Sequence, residues 1–267
     1  LFQQYHKLIH DTCSIYLKPV KKPLLVNRLM KRLRQLGLSS YEEYFNRVTQ
    51  GPDQEREMQY LIDAITTNKT EFFREGKQWE YMENVVWPQL QAEKEKKDDF
   101  TVRIWSSACS TGEEPYSLAM HALNHLNLKA PWKIQILASD INEQVLRQAQ
   151  TGIYDAHRVD TIPGEYLQKY FINIGGKYRI RPEPQKLVTF RKINLKGAFP
   201  KLTRPLDMIF CRNVIIYFDK QTQAELMSRF FQCLGPGGYL FLGHSESLNG
   251  ICSLYRFMSA SIYRKEG

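Results

Sequence analysis

From residue 100 onward the chain alternates short apolar, β-prone runs with segments of helical periodicity, and this alternation restricts the fold more than any other feature. The β-prone runs lie near 100–107, 132–139, 187–193, 206–211 and 238–243, and the helical segments at 113–127, 142–150 and 220–233. Strands separated by helices pair in parallel, with the helices covering both faces of the sheet. A final β-prone pair near 253–264 has no helix between its members and predicts an antiparallel edge. The expected class is α/β with a Rossmann-like sheet.

Ligands of such a sheet bind beyond the carboxyl ends of the strands, so the residues just after each strand carry the chemistry. After the first run comes "ACSTGEE", where dinucleotide folds place glycines that let backbone N–H groups approach a pyrophosphate. Only Gly112 is present, and Glu113 and Glu114 would repel a pyrophosphate. The acidic pair suits a ligand with an adenosine and a positive centre but no phosphate. S-adenosylmethionine, with its ammonium and sulfonium, has that chemistry. Thr111 and Glu114 also match a capping box, a role compatible with ligand contact. After the second run, Asp140 in "LASDIN" can accept hydrogen bonds from ribose hydroxyls or cap a helix starting at Ile141. Arg212, Asn213 and Tyr217 of "CRNVIIYF" follow the fourth run, and His244, Ser245 and Glu246 follow the fifth. The last three are not a hydrolase triad. No G-x-S-x-G elbow is present, and successive side chains of an extended segment point to opposite faces.

The residues before 100 read differently. Between Asp11 and Glu42 there is no acidic residue, whereas Lys18, Lys21, Lys22, Arg28, Lys31, Arg32 and Arg34 fall there. On a helical period Leu25, Val26, Leu29, Met30, Leu33 and Leu36 share one arc of the segment 24–36, and Arg28, Lys31, Arg32 and Arg34 take the other, with Gly37 as the stop. Such a face is either a solvated helix surface or a docking surface for an acidic partner. Further helices are expected at 40–49 and 53–65, completing a small bundle. In "TNKTEFFRE" Thr70 is placed to cap a helix, Pro88 to close one, and "QAEKEKKDD" reads as a charged surface linker. The expected division is a helical docking domain over 1–75, a connecting helix and linker over 76–99, and a ligand-binding domain over 100–267. Inside the last, a small β insertion is expected at about 165–190, carried by "FINIGGKYRIRPE".

A chain of 267 residues with 43% hydrophobic content can bury a sizeable core. Its formal charge of +9 calls for an acidic partner, whether nucleic acid, an anionic membrane surface or an acidic protein face. Cys13, Cys109, Cys211, Cys233 and Cys252 are odd in number and form no C-x-x-C pair, which argues against a disulfide framework and a zinc knuckle and for a cytoplasmic setting. No bound metal is expected. No apolar run approaches the ~20 residues of a membrane span, and "LFQQYHKLIHD" lacks the basic start, apolar centre and cleavage site of a secretory signal. The lack of an initial Met points to a trimmed N-terminus.

Taken in order, "TNKTEFFRE", "WSSACSTGEEPYSLAM", "ASDIN", "INL", "FCRNVIIYFD" and "LGPGGYLFLGHSES" closely resemble the CheR-type chemotaxis receptor methyltransferases over essentially the whole chain. The resemblance implies a class I methyltransferase sheet and S-adenosylmethionine-dependent methylation of glutamate side chains on chemoreceptors, giving a methyl ester and S-adenosylhomocysteine. It also implies cofactor contacts from Asn68, Thr70, Arg74, Ala108, Glu114, Asp140, Asn194, Leu195, Arg212, Asn213 and Tyr217. Arg74 and Tyr217 are then the expected catalytic pair, orienting the carboxylate that is methylated. Arg28, Lys31, Arg32 and Arg34 become the expected docking face for the acidic cytoplasmic helices of receptors. Cys109 stands where a small Ala or Ser is common. The β insertion is shorter than in relatives that grip a C-terminal receptor pentapeptide, so docking without that tether is expected. Two other readings are a nucleic-acid methyltransferase, for which the N/D-P-P-Y/F of base amine methylation is missing, and a non-catalytic receptor-binding module.

Overall fold

The computed structural model describes residues 1–17, 19–126 and 132–266; Lys18, the expected helix end at residue 127 and Gly267 lie outside the described residues. The strands are β1 (Thr101–Ser106), β2 (Lys133–Asp140), β3 (Ile153–Asp155), β4 (Phe171–Ile174), β5 (Lys177–Ile180), β6 (Val188–Lys192), β7 (Leu206–Cys211), β8 (Leu234–Leu242), β9 (Tyr255–Ser259) and β10 (Ile262–Lys265). Seven of them form one sheet in the order β6-β2-β1-β7-β8-β10-β9. The pairs from β6 to β8 are parallel, while β10 runs antiparallel to both β8 and β9, as the alternation predicted. The strand order reverses at β1, between β2 and β7, and this opens a crevice at the carboxyl ends of those strands.

The central parallel strands β1 and β7 are mostly buried because helices cover both faces, whereas the edge strand β6 is largely exposed. Helix α7 (Glu113–His125) lays Leu118, Ala119 and Ala122 on one face, and α11 (Lys220–Cys233) lays Leu226, Met227 and Phe230 on the other. Trp105 of β1 is fully buried between Phe199 and Phe230, and its indole N–H donates to Ser139 Oγ at 2.9 Å. Helices α8 (Glu143–Thr151), α9 (Gly164–Tyr170) and the short α10 (Pro182–Gln185) lead to and from the remaining strands. Those strands form a separate three-stranded sheet in the order β3-β5-β4, turned at Gly175-Gly176.

Four helices precede this domain: α1 (Phe2–Cys13), α2 (Lys22–Leu36), α3 (Tyr41–Gln50) and α4 (Gln54–Ile65). They share a core of Tyr5, Ile9, Leu25, Leu29, Leu33, Tyr44, Val48 and Leu61. On α2 only Leu25, Leu29 and Leu33 are fully buried, a stripe narrower than the six apolar residues expected. The basic face divides in two. Arg28 Nη1 donates to the carbonyls of Ala64 and Thr66 at 2.6 and 2.9 Å, and Arg32 pairs with the fully buried Glu57. Lys31 and Arg34 stay exposed. The missing acid was therefore not absent but supplied from α4.

Three local expectations fail between residues 66 and 99. Thr70 caps nothing, since 66–75 is irregular and the next helix starts at Gly76. Pro88 does not end a helix: α5 (Gly76–Tyr81), a π turn at Met82–Val86 and α6 (Trp87–Glu95) run on continuously. A π turn widens the helix just before the proline, which relieves the clash between its ring and the preceding turn. "QAEKEKKDD" is not a free linker, because buried Lys94 holds Asp207 at 2.9 Å and Asp99 at 3.1 Å, tying α6 to β7.

Arg32→Ala strands a buried carboxylate that only Arg56, at 3.5 Å, still reaches. It is expected to lower the unfolding free energy by about 2 kcal/mol. Lys31→Ala is expected to change it by less than about 0.5 kcal/mol. Denaturant titration of both variants measures the difference.

Candidate active site

The crevice at the sheet reversal is a cleft lined by residues from several separate stretches of chain. Its walls are the turn after β1, the end of β2, the segment 66–74, the loop after β6 and the loop after β7. Asn68, Thr70, Arg74, Ala108, Glu114, Asp140, Asn194, Leu195, Arg212, Asn213 and Tyr217 all line it. The four docking candidates on α2 do not, though Arg28 holds the carbonyl of Thr66, which does.

The turn after β1 needs two residues in the left-handed region, Ser110 at φ 49° and Gly112 at φ 96°. Ser110 N–H donates to Asp140 Oδ2 at 2.9 Å, and its hydroxyl donates to the Asn68 carbonyl at 3.0 Å. The same carboxylate accepts from Asn142 N–H at 2.9 Å. Asp140 is not a helix cap: α8 starts at Glu143, capped by Asn142, whose side chain accepts from Val145 N–H. Nor do Thr111 and Glu114 form a capping box. The N-cap of α7 is Gly112, which has no side chain to cap with, and the Thr111 hydroxyl donates to Glu113 Oε2 instead.

The two glutamates of the turn part company. Glu114 faces the cleft, accepting from Ser106 Oγ at 2.7 Å and meeting Arg212 Nη1 at 3.2 Å. Glu113 is fully buried on the other side, paired with Arg158, so it offers nothing to a ligand in the cleft. Arg212 is itself buried; its guanidinium also meets Glu75 at 3.2 Å and donates to the Arg74 carbonyl at 2.5 Å. Its Nε is buried without a partner among the described residues.

The loop after β7 is held by a residue that sequence reasoning set aside. Glu246, buried beyond β8, accepts backbone N–H bonds from Gly243, Asn213, Ile215 and Ile216 at 2.6, 2.8, 2.9 and 3.4 Å. Asn213 adopts φ 58°, and a Cβ on Gly243 would lie 2.7 Å from its backbone nitrogen. Tyr217 closes the 3₁₀ turn Ile215–Tyr217, half-buried at the cleft wall. Its carbonyl accepts from Tyr16 N–H at 2.8 Å, which carries the helical part onto the site. Asn194 Nδ2 donates to the Thr12 carbonyl at 2.7 Å, and Cys13 and Ile15 then line the cleft.

Burial raises the carboxyls of Asp140 and Glu114 above their usual range, against backbone N–H groups at the first and Arg212 and Ser106 at the second. Glu246 is raised by burial too, against its four backbone donors. At Glu75 burial also pushes upward, but Arg212 and the His244 N–H prevail and hold the carboxyl below its usual value. Glu75 follows Arg74 directly, and Glu246 stands just past a strand end; an acid beside predicted site residues was the only sequence signal for either.

The donors and acceptors fit an adenosine carrying an amino-acid end. Asp140 retains lone pairs for hydroxyls, Asn68 and Asn213 offer amides, and Arg212 has a spare buried donor.

Known proteins bear on the same residues. The family described as "CheR methyltransferase, all-alpha domain" matches residues 1–66, and "CheR methyltransferase, SAM binding domain" matches 68–264. A chemotaxis protein methyltransferase of Salmonella typhimurium is 36% identical over 266 residues, covering 98% of this chain and 88% of that one. Chemotaxis protein methyltransferase 2 of Pseudomonas aeruginosa is 38% identical over 266 residues, covering 98% and 91%. A third, from Borreliella burgdorferi, is 35% identical over 262 residues, covering 97% and 92%.

A ribose hydroxyl donates more strongly to the ionised form of Asp140 than to the acid. Its raised carboxyl takes up a proton at a higher pH than the ordinary 3.8, so affinity should fall as pH drops, with a midpoint above that value. Calorimetric titration with S-adenosylhomocysteine across pH measures this, and Asp140→Asn should bind weakly and lose that step.

Proposed function

The chain belongs to the CheR methyltransferase family, and from that membership we propose that it transfers a methyl group from S-adenosylmethionine to glutamate side chains of chemoreceptors. The observation that supports this most is the convergence of eleven separate residues, from five stretches of chain, on one cleft with carboxylates where a phosphate would be repelled. Bound there, S-adenosylmethionine would supply the methyl group from its sulfonium. Asp140 would accept from ribose hydroxyls, and Glu114 and Arg212 would sit at the charged amino-acid end.

A glutamate carboxylate has an ordinary pKa of about 4.3 and is already ionised at neutral pH, so no general base is needed. The protein has instead to align one oxygen and strip its water, which makes positioning the main term. Tyr217 would donate to the carboxylate beside the reacting oxygen. Arg74 would sit nearer the cofactor or bridge the two, since a full guanidinium clamp would blunt the nucleophile. The reaction consumes an anion and a cation, so the apolar side chains of Ile15, Leu195 and Val214 around the cleft favour it.

The acidic methylation helices of receptors are the intended partner. Lys31 and Arg34 are exposed on α2 and would steer them, whereas Arg28 and Arg32 already serve the bundle. The short β4–β5 hairpin supports docking without a pentapeptide tether. Among the described residues no helix is long and apolar enough to cross a membrane, and the reaction would take place on the cytoplasmic part of the receptor.

Incubation with methyl-labelled S-adenosylmethionine and receptor, followed by alkali, should release volatile label as methanol from an ester; label only with RNA would overturn the reading. Tyr217→Phe and Arg74→Ala are each expected to lose tenfold or more, roughly, in kcat, and Tyr217→Phe to keep its cofactor affinity. Near-normal transfer by both would remove them from the mechanism. A receptor-tail pentapeptide should give no heat of binding in calorimetry, and micromolar affinity would restore the tether.

A further inference from the structure

Two residues, one from the first strand of the three-stranded sheet and one from the turn after it, contact the stretches of chain that supply walls of the cleft without lining it themselves. Tyr154 of β3 is buried, and its hydroxyl donates to the Thr111 carbonyl at 2.7 Å. Its ring packs edge-on against buried Phe72 at 4.9 Å, within the segment that supplies Asn68, Thr70 and Arg74. Arg158, just after β3, donates through Nη2 to Thr111 Oγ1 at 2.7 Å and forms an ion pair with the fully buried Glu113. Neither Tyr154, Arg158 nor Glu113 lines the cleft.

The turn they contact combines two uncommon backbone conformations. Ser110 and Gly112 both sit at positive φ, and residues in sparsely populated backbone conformations persist only where their surroundings over-determine them. A Cβ on Gly112 would lie 2.8 Å from the Tyr154 hydroxyl and 2.9 Å from Ala149 Cβ, so the packing is close on this side. On the other side of the same turn are Ser110 N–H, which orients Asp140, and Glu114, which meets Arg212.

We propose that Arg158 and Tyr154 are positioning residues for methyl transfer, locking the turn Ser110–Glu114 from behind so that Asp140 and Glu114 stand correctly for the methyl donor. The small sheet is then a part of the cofactor site and not an appendage to it. The proposal rests on the methyltransferase reading, and the two fail separately. If the unaltered protein does not bind S-adenosylhomocysteine, the reading itself falls.

Given that binding, Arg158→Ala is expected to raise the S-adenosylhomocysteine Kd roughly tenfold, and Tyr154→Phe, which keeps the ring on Phe72, roughly fivefold. Because neither residue touches the reacting atoms, kcat at saturating methyl donor should stay within about threefold while the methyl-donor KM rises. Arg158→Lys, which keeps a cation and a donor, should recover most of the affinity. The combined variant Glu113→Gln with Arg158→Met removes the buried pair without leaving a lone charge. Its Tm should return towards the original value while its Kd stays raised. Unchanged affinity in both Arg158→Ala and Tyr154→Phe would overturn the proposal. So would a combined variant in which affinity recovers together with Tm, since Arg158 would then only neutralise Glu113.

Discussion

The site depends on one buried guanidinium. Arg212 is almost wholly removed from water, where a cation is costly unless it is paired and hydrogen-bonded. Its partners are drawn from two places: Glu114 opens α7, while Glu75 and the Arg74 carbonyl end the irregular segment before α5. Satisfying this one charge therefore brings the turn after β1, the segment 66–75 and the end of β7 to a common point. The cleft is the space left between them.

Two buried carboxylates extend the same logic to backbone. Asp140 takes N–H groups from the turn after β1 and from Asn142, and Glu246 takes four from the loops after β7 and β8. Loop amides have no sheet or helix partner, and a buried carboxylate can satisfy several at once. The cost is a carboxyl raised by burial at each position, which is compatible with function because backbone donors keep the anion supported. The helical part closes the remaining side through Tyr16 N–H to the Tyr217 carbonyl and the Asn194 side-chain amide to the Thr12 carbonyl, so it acts as a wall of the site as well as a separate bundle.

Much of this was legible because it follows from local pattern. Alternating β-prone and amphipathic runs led to the parallel sheet with its antiparallel edge, and the rule that ligands sit beyond strand ends led to Asp140, Arg212 and Tyr217. The misreadings share a cause. "QAEKEKKDD" looks like a linker because charge usually means solvent, but Lys94 is buried on Asp207, more than a hundred residues away. The basic face of α2 looked uncompensated because Glu57 lies on another helix. Thr111 and Glu114 matched a cap, yet the N-cap falls one residue later, at Gly112, and Thr111 bonds Glu113 instead.

By itself the sequence determined the fold class, the strand-end positions that line the cleft and the absence of glycines suited to a pyrophosphate, since periodicity and backbone permissiveness are properties of neighbouring residues. Only the tertiary structure decided which of two adjacent glutamates faces the cleft, which cations of α2 are exposed, and that Glu75, Glu246, Tyr154 and Arg158 support the site. Each of those outcomes is a choice of partner for a buried charge or hydrogen-bonding group. A buried charge is satisfied by whatever the fold brings within about 3 Å, and distance along the chain carries no information about that.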